Sequence, residues 1–129
     1  MAEYENNAYF WQKLDTFYLS GEYEVKHNKG DRHSDYPNLV YPVEVGCLEE
    51  TNGEHEGVNV YKGSGSMYSI SALVVAVDIL EKTLDVKMLV GCSEEEIEEV
   101  LRFLNQTDYQ KTVLIRKGSN IPNWSLSDN

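Results

Sequence analysis

Residues 70–91 read ISALVVAVDIL, then EKT, then LDVKMLVG. The first block is almost continuously apolar and rich in β-branched residues, as expected of a central strand, Ile70 to Leu80, covered on both faces. The polar triplet Glu81-Lys82-Thr83 is a turn. The third block returns from Leu84 to Gly91, with Leu84 and Val86 alternating against Asp85 and Lys87. Two such runs joined by a short turn predict a β-hairpin.

Further strands are expected on either side. Val58 to Lys62 is one. Leu39 to Cys47 is another, with Pro42 marking an edge or a bend. In residues 22–28, Tyr23 and Val25 form the inward face against Glu22, Glu24 and Lys26. Lys111 to Lys117 closes the series with Val113 and Ile115 inward. Short connections favour antiparallel pairing, and the strand-rich centre has no βαβ spacing.

Two helices flank the strands. In residues 8–19, Trp11, Leu14, Phe17 and Tyr18 make one apolar stripe, with Lys13 and Asp15 off it. Asn7 is the expected N-cap, and Gly21 the expected left-handed stop. Ser93 opens the second helix: Ser93 and Glu96 have capping-box spacing, acids crowd the first turn, and Ile97, Val100, Leu101 and Leu104 form the inward stripe.

With 129 residues the chain suits one domain, 1–129, with a core over 8–117 and a tail over 118–129. Lys and Arg total 11 against 22 Asp and Glu, a formal charge of -11. That excess repels nucleic acid and anionic membrane surfaces. No apolar run is long enough to span a bilayer, and the acidic N-terminus does not read as a signal peptide, so a cytoplasmic location is expected. Cys47 and Cys92 are then expected as reduced, partly buried thiols.

Three groups of residues could carry chemistry. Glu49, Glu50, Glu54, His55 and Glu56 form an acidic loop whose oxygens suit Mg²⁺ or Ca²⁺, although the spacing is not that of an EF-hand. Asp85 and Lys87 share a strand face, and Asp78 could join Asp85 across the hairpin. Lys26, Lys29, Arg32 and His33, followed by Tyr36, make a cationic turn suited to phosphate. Each also has a plain reading, as a solvated loop, a wet strand face and local charge balance. Gly63-Ser64-Gly65-Ser66 lacks the lysine of a P-loop, and no Ser or Cys has the setting of a nucleophile.

Taken together, YPVEVGCL at 41–48, GEHEGVNV at 53–60 and LDVKMLV at 84–90 resemble the signature region of the family I soluble inorganic pyrophosphatases. FWQKLD at 10–15 and KGDRH at 29–33 resemble a short branch of that family, and the similarity spans residues 9–117. The resemblance implies a small five-stranded OB-like barrel with an N-terminal and a C-terminal helix. It implies hydrolysis of pyrophosphate to phosphate by metal-activated water, with Mg²⁺, or Mn²⁺ as substitute, on Glu54, Glu56, Asn59 and Asp85. Catalysis would fall to Asn59, Asp85, Lys87 and Tyr41, and phosphate holding to Lys29, Arg32, Lys87 and Tyr41.

The departures centre on the metal loop. Glu54 and Glu56 stand where the family has Asp. Asn59 replaces the acid that holds the attacking water, Val45 replaces a Tyr, and His55 a Gly. Octahedral Mg²⁺ tolerates little misplacement, and an amide takes no proton, so activity weakened or lost is expected. The alternative is a non-catalytic acidic module that keeps the barrel and meets a basic protein partner. Homo-oligomerisation is left open.

Overall fold

The computed structural model describes residues 6–49, 57–65 and 69–117. The element order is α1 (Ala8–Ser20), β1 (Glu22–His27), β2 (Glu44–Glu49), β3 (Val58–Lys62), β4 (Ile70–Asp78), β5 (Thr83–Val90), α2 (Glu94–Leu104) and β6 (Gln110–Arg116). The 118–129 tail, most of the acidic loop and Ser66 lie outside the described residues.

The protein is mainly β, with two helices among the described residues. Its strands form one six-stranded mixed sheet in the order β1-β2-β3-β5-β4-β6. The hairpin is present as β4 and β5, antiparallel from Ile70↔Val90 to Asp78↔Thr83. All neighbours are antiparallel except β3 and β5, which run parallel from Asn59↔Lys87 to Lys62↔Val90.

The expected five-stranded barrel is not seen closed: the six strands form an open sheet. The free edge of β4, where a closing strand would have to pair, is occupied by β6 from Ala72↔Arg116 to Asp78↔Gln110. Closing β1 to β5 alone would require β1 to displace that ladder, and β1 and β6 stand as the two unpaired edges of the sheet among the described residues.

Each face carries a helix. On one, α2 buries Ile97, Val100 and Leu104 against Tyr41, Val43, Val45, Tyr61, Val74 and Leu89. On the other, Trp11 and Tyr18 of α1 pack on Leu48, Val60, Ile70, Leu73, Met88 and Val90. Burying side chains of this size stabilises by about 1.5–3 kcal/mol each before the entropy of ordering them is subtracted.

The caps explain the helix limits. The Asn7 side chain accepts from the Phe10 N–H, and the Ser93–Glu96 capping box is complete. Gly21, by contrast, is extended (φ −94°) rather than left-handed. Its glycine is required by space, since a Cβ there would lie 2.6 Å from Leu48 Cδ1.

Two inward assignments are corrected as well. Val25 is 47% and Val113 is 63% exposed. Both lie beyond the reach of α1, so their sheet face meets water. Asp15, off the apolar stripe of its helix, is fully buried and accepts from the Ile70 N–H at 3.1 Å. No helix among the described residues is long and apolar enough to cross a membrane.

Candidate functional site

The parallel pairing of β3 with β5 aligns one row across the sheet: Cys47, Asn59, Lys87, Val74 and Leu114. This row lies on the α2 face. On its inner side are Val45, Tyr61 and Leu89, which belong to the core. On its outer side is exposed Asp85, in register with Ala76. Lys87 therefore stands at the boundary between core and solvent. Its side chain is only 8% exposed, and its Nζ donates to Asp85 Oδ2 at 3.3 Å.

A cleft of about 380 Å³ opens above Lys87, lined also by Tyr41 and Tyr61. One wall is the β1–β2 connection, with His33, Asp35, Tyr36 and Leu39. The other joins the tip of the β4–β5 hairpin (Asp78, Leu80, Glu81) to the α2–β6 connection (Thr107, Tyr109).

Backbone bonds hold both walls. Gly30 N–H donates to Tyr41 O, Tyr41 N–H to Asp31 O, and His33 N–H to Leu39 O, each at 2.9 Å. The His33 Nδ1 accepts from the N–H groups of Asp35 and Tyr36. Across the cleft, Ile79 N–H donates to Tyr109 O at 2.9 Å.

Tyr41 is fixed by ring packing, with His27 stacked at 4.3 Å and Phe103 at 4.8 Å. Tyr41 and Tyr61 are 8% and 5% exposed, and neither hydroxyl has a hydrogen-bond partner among the described residues. No fully buried side-chain N or O is left unsatisfied there either, so both hydroxyls reach the open space of the cleft. Burial, and then the charges of Asp35 and Asp31, raise the Tyr41 pKa. Burial, followed by Tyr41 and Asp85, raises that of Tyr61. Both phenols thus stay protonated and can donate. Lys87 adds the N–H donors that Asp85 does not take.

The expected site residues divide accordingly. Tyr41 and Lys87, 46 positions apart in sequence, meet in the cleft. Asp85 joins them through its ion pair. Asn59 is the register neighbour of Lys87 but is exposed. Lys29 is elsewhere, in a shallow depression with Glu44 and Lys62. Arg32 is turned to its own loop, donating to Pro37 O at 3.2 Å. The cationic turn is thus not brought together over Lys87. Glu54 and Glu56 lie outside the described residues.

Asp78 lines the cleft without joining Asp85; its Oδ1 accepts from the N–H groups of Leu80 and Glu81. Among the described residues no three His, Cys, Asp or Glu side chains converge to hold a metal ion. For hard cations, Asp85 offers a carboxylate oxygen beyond the one bonded to Lys87, and Asn59 offers an amide oxygen.

Sequence reading missed Tyr61. The available signal was its strand parity with Asn59, which puts both on one face of β3. The cysteines carry no chemistry here: both are free, and burial followed by Glu96 pushes the Cys92 thiol up to about 12. No protein-family model and no curated protein matches the chain.

Proposed function

We propose that the cleft is a phosphate-handling site of the pyrophosphatase type, hydrolysing pyrophosphate with Mg²⁺, or Mn²⁺ in its place, at reduced rate. One observation carries this reading. The Lys87 ammonium and the hydroxyls of Tyr41 and Tyr61, each on a residue more than nine-tenths buried, line a single cleft; among the described residues Lys87 bonds Asp85 and the two hydroxyls have no partner. A multivalent oxyanion is a ligand that would engage all three at once. In the same reading β1 to β5 represent an OB-like barrel left partly open, with β6 added on β4.

Lys87 and the two phenols would hold phosphoryl oxygens and stabilise charge on the leaving phosphate. Asp85 would position Lys87 and, with Asn59, Glu54 and Glu56, supply oxygens to the cation. When bound, Mg²⁺ would screen substrate charge and lower the pKa of an attacking water. Asn59 can orient that water but cannot take its proton, which accounts for a slow reaction.

Phosphate release from pyrophosphate with Mg²⁺ or Mn²⁺ is the test. Turnover is expected below roughly 1 s⁻¹, lost in Asp85→Ala and raised when Glu54, Glu56 and Asn59 are all changed to Asp. Pyrophosphate that neither binds nor turns over with either cation overturns the reading. A salt-sensitive, chelator-indifferent complex with a basic protein would then favour the non-catalytic module. The exposed Glu95 and Glu99 of α2 support that second reading.

A further inference from the structure

The cleft is larger than two phosphate groups need, and its upper walls are aromatic. At about 380 Å³ it falls among the clefts that enclose drug-sized ligands, about 300–1,000 Å³. The donors lie deep in it, on Lys87, Tyr41 and Tyr61. Higher up, Tyr36 on one wall and Tyr109 on the other remain 41% and 47% exposed. The two rings come from different connections, and backbone bonds hold each connection: Leu39 N–H to Tyr36 O at 2.8 Å, and Ile79 N–H to Tyr109 O at 2.9 Å. The backbone that carries each ring is therefore held before any ligand arrives, which lowers the entropy lost on binding.

Resting on the phosphate-handling reading above, we infer that the cleft takes a nucleoside diphosphate, its diphosphate on Lys87, Tyr41 and Tyr61 and its base against Tyr36 and Tyr109. Depth separates the two kinds of contact as such a ligand requires, with ionic donors at the floor and flat apolar faces at the mouth. Asp35, Asp78 and Glu81 also line the cleft and repel a bare polyphosphate. They favour the magnesium complex, in which most of the phosphate charge is neutralised. Stacking on aromatic rings is tolerant of base identity, so the class is set by the diphosphate and the presence of a base.

Calorimetric titration of the full chain with ADP and with pyrophosphate, both with Mg²⁺, tests this. ADP is expected to bind about tenfold or more tighter than pyrophosphate, the size of one good base–aromatic stack. The double variant Tyr36→Ala, Tyr109→Ala is expected to lose that advantage and keep its pyrophosphate affinity. Both rings are exposed, so the variant should fold, and unchanged circular dichroism would establish that it does. Equal affinities for ADP and pyrophosphate in the parent overturn the inference and leave the phosphate-handling reading intact. An ADP advantage that survives in the double variant also overturns it. Binding of neither ligand overturns both.

Discussion

Replacing Lys87 with Met separates the work of the ammonium from the work of its carbon stem. The side chain is 8% exposed and lies in a sheet row with Val74 and Leu114, so its methylenes pack as an apolar residue would. Methionine has a similar length and volume, and such exchanges cost less than about 1.5 kcal/mol. Removing one partner of a fully buried ion pair costs about 3–5 kcal/mol. Here the abandoned partner, Asp85, has a side chain 46% exposed, so water can solvate it in place of the ammonium. Lys87→Met should therefore unfold in urea within about 1.5 kcal/mol of the parent. Pyrophosphate affinity should fall much further. A hydrogen bond to a charged group contributes about 1.5–3 kcal/mol, which corresponds to a Kd roughly 10- to 150-fold weaker in calorimetry with Mg²⁺. Unchanged pyrophosphate affinity in a folded Lys87→Met would refute the role given to the ammonium. A stability loss of about 3–5 kcal/mol would mean that the pair holds the sheet together.

Other regions give independent checks. Asp15→Ala should destabilise by about 1–3 kcal/mol in urea, because it leaves the buried Ile70 N–H without its acceptor. Cys92 should resist alkylation at pH 8 in the folded protein and react fully in denaturant, since its thiol is pushed up to about 12 by burial; rapid labelling of the native protein would contradict the packing at the start of α2. Glu96 titrates below the usual carboxylate range: burial raises its pKa, but N–H groups of Ser93 and Ser64 lower it further. Its contribution should be complete above the ordinary carboxylate pKa and be lost as pH falls through the lowered one. Glu96→Gln should thus cost about 1 kcal/mol at pH 7 and converge with the parent in thermal melts at the acid end, whereas a constant gap would deny the charge any part.

Local features were legible in the sequence and non-local ones were not. The capping box of α2, its stripe of Ile97, Val100 and Leu104, and the β4–β5 hairpin depend on residues close in sequence. The cap and the stripe appear where spacing placed them, and the hairpin appears with its turn shifted: the strand expected to reach Leu80 ends at Asp78, and the return strand expected from Leu84 begins at Thr83. Period-two alternation correctly put Asp85 and Lys87 on one face. It says nothing of depth, which depends on where α2 and the Tyr41 ring come to rest. So Lys87 is buried while Asp85, two residues away, is exposed. The same limit explains Val113, whose alternation suggests burial although α1 stops short of it. The parallel β3–β5 contact, which sets Asn59 beside Lys87, is fixed by the path of the whole chain, as is the docking of β6 on β4.

A buried lysine beside Val74 and Leu114 needs a reason beyond packing. Desolvating an ammonium costs several kcal/mol, and a half-exposed carboxylate at 3.3 Å returns only part of that. A methionine or leucine at position 87 would fill the space without the penalty, so stability does not explain the residue. Tyr41 and Tyr61 pose a similar question, because phenylalanine would pack as well and neither hydroxyl has a partner among the described residues. A ligand rich in acceptor oxygens would engage both hydroxyls and the Lys87 N–H groups that Asp85 does not take. Lys29 and Arg32 stand differently: exposed cations bear little desolvation cost, and their positions outside the cleft are explained by solvation alone. The weight of the phosphate reading therefore falls on Lys87, Tyr41 and Tyr61, not on the cationic turn.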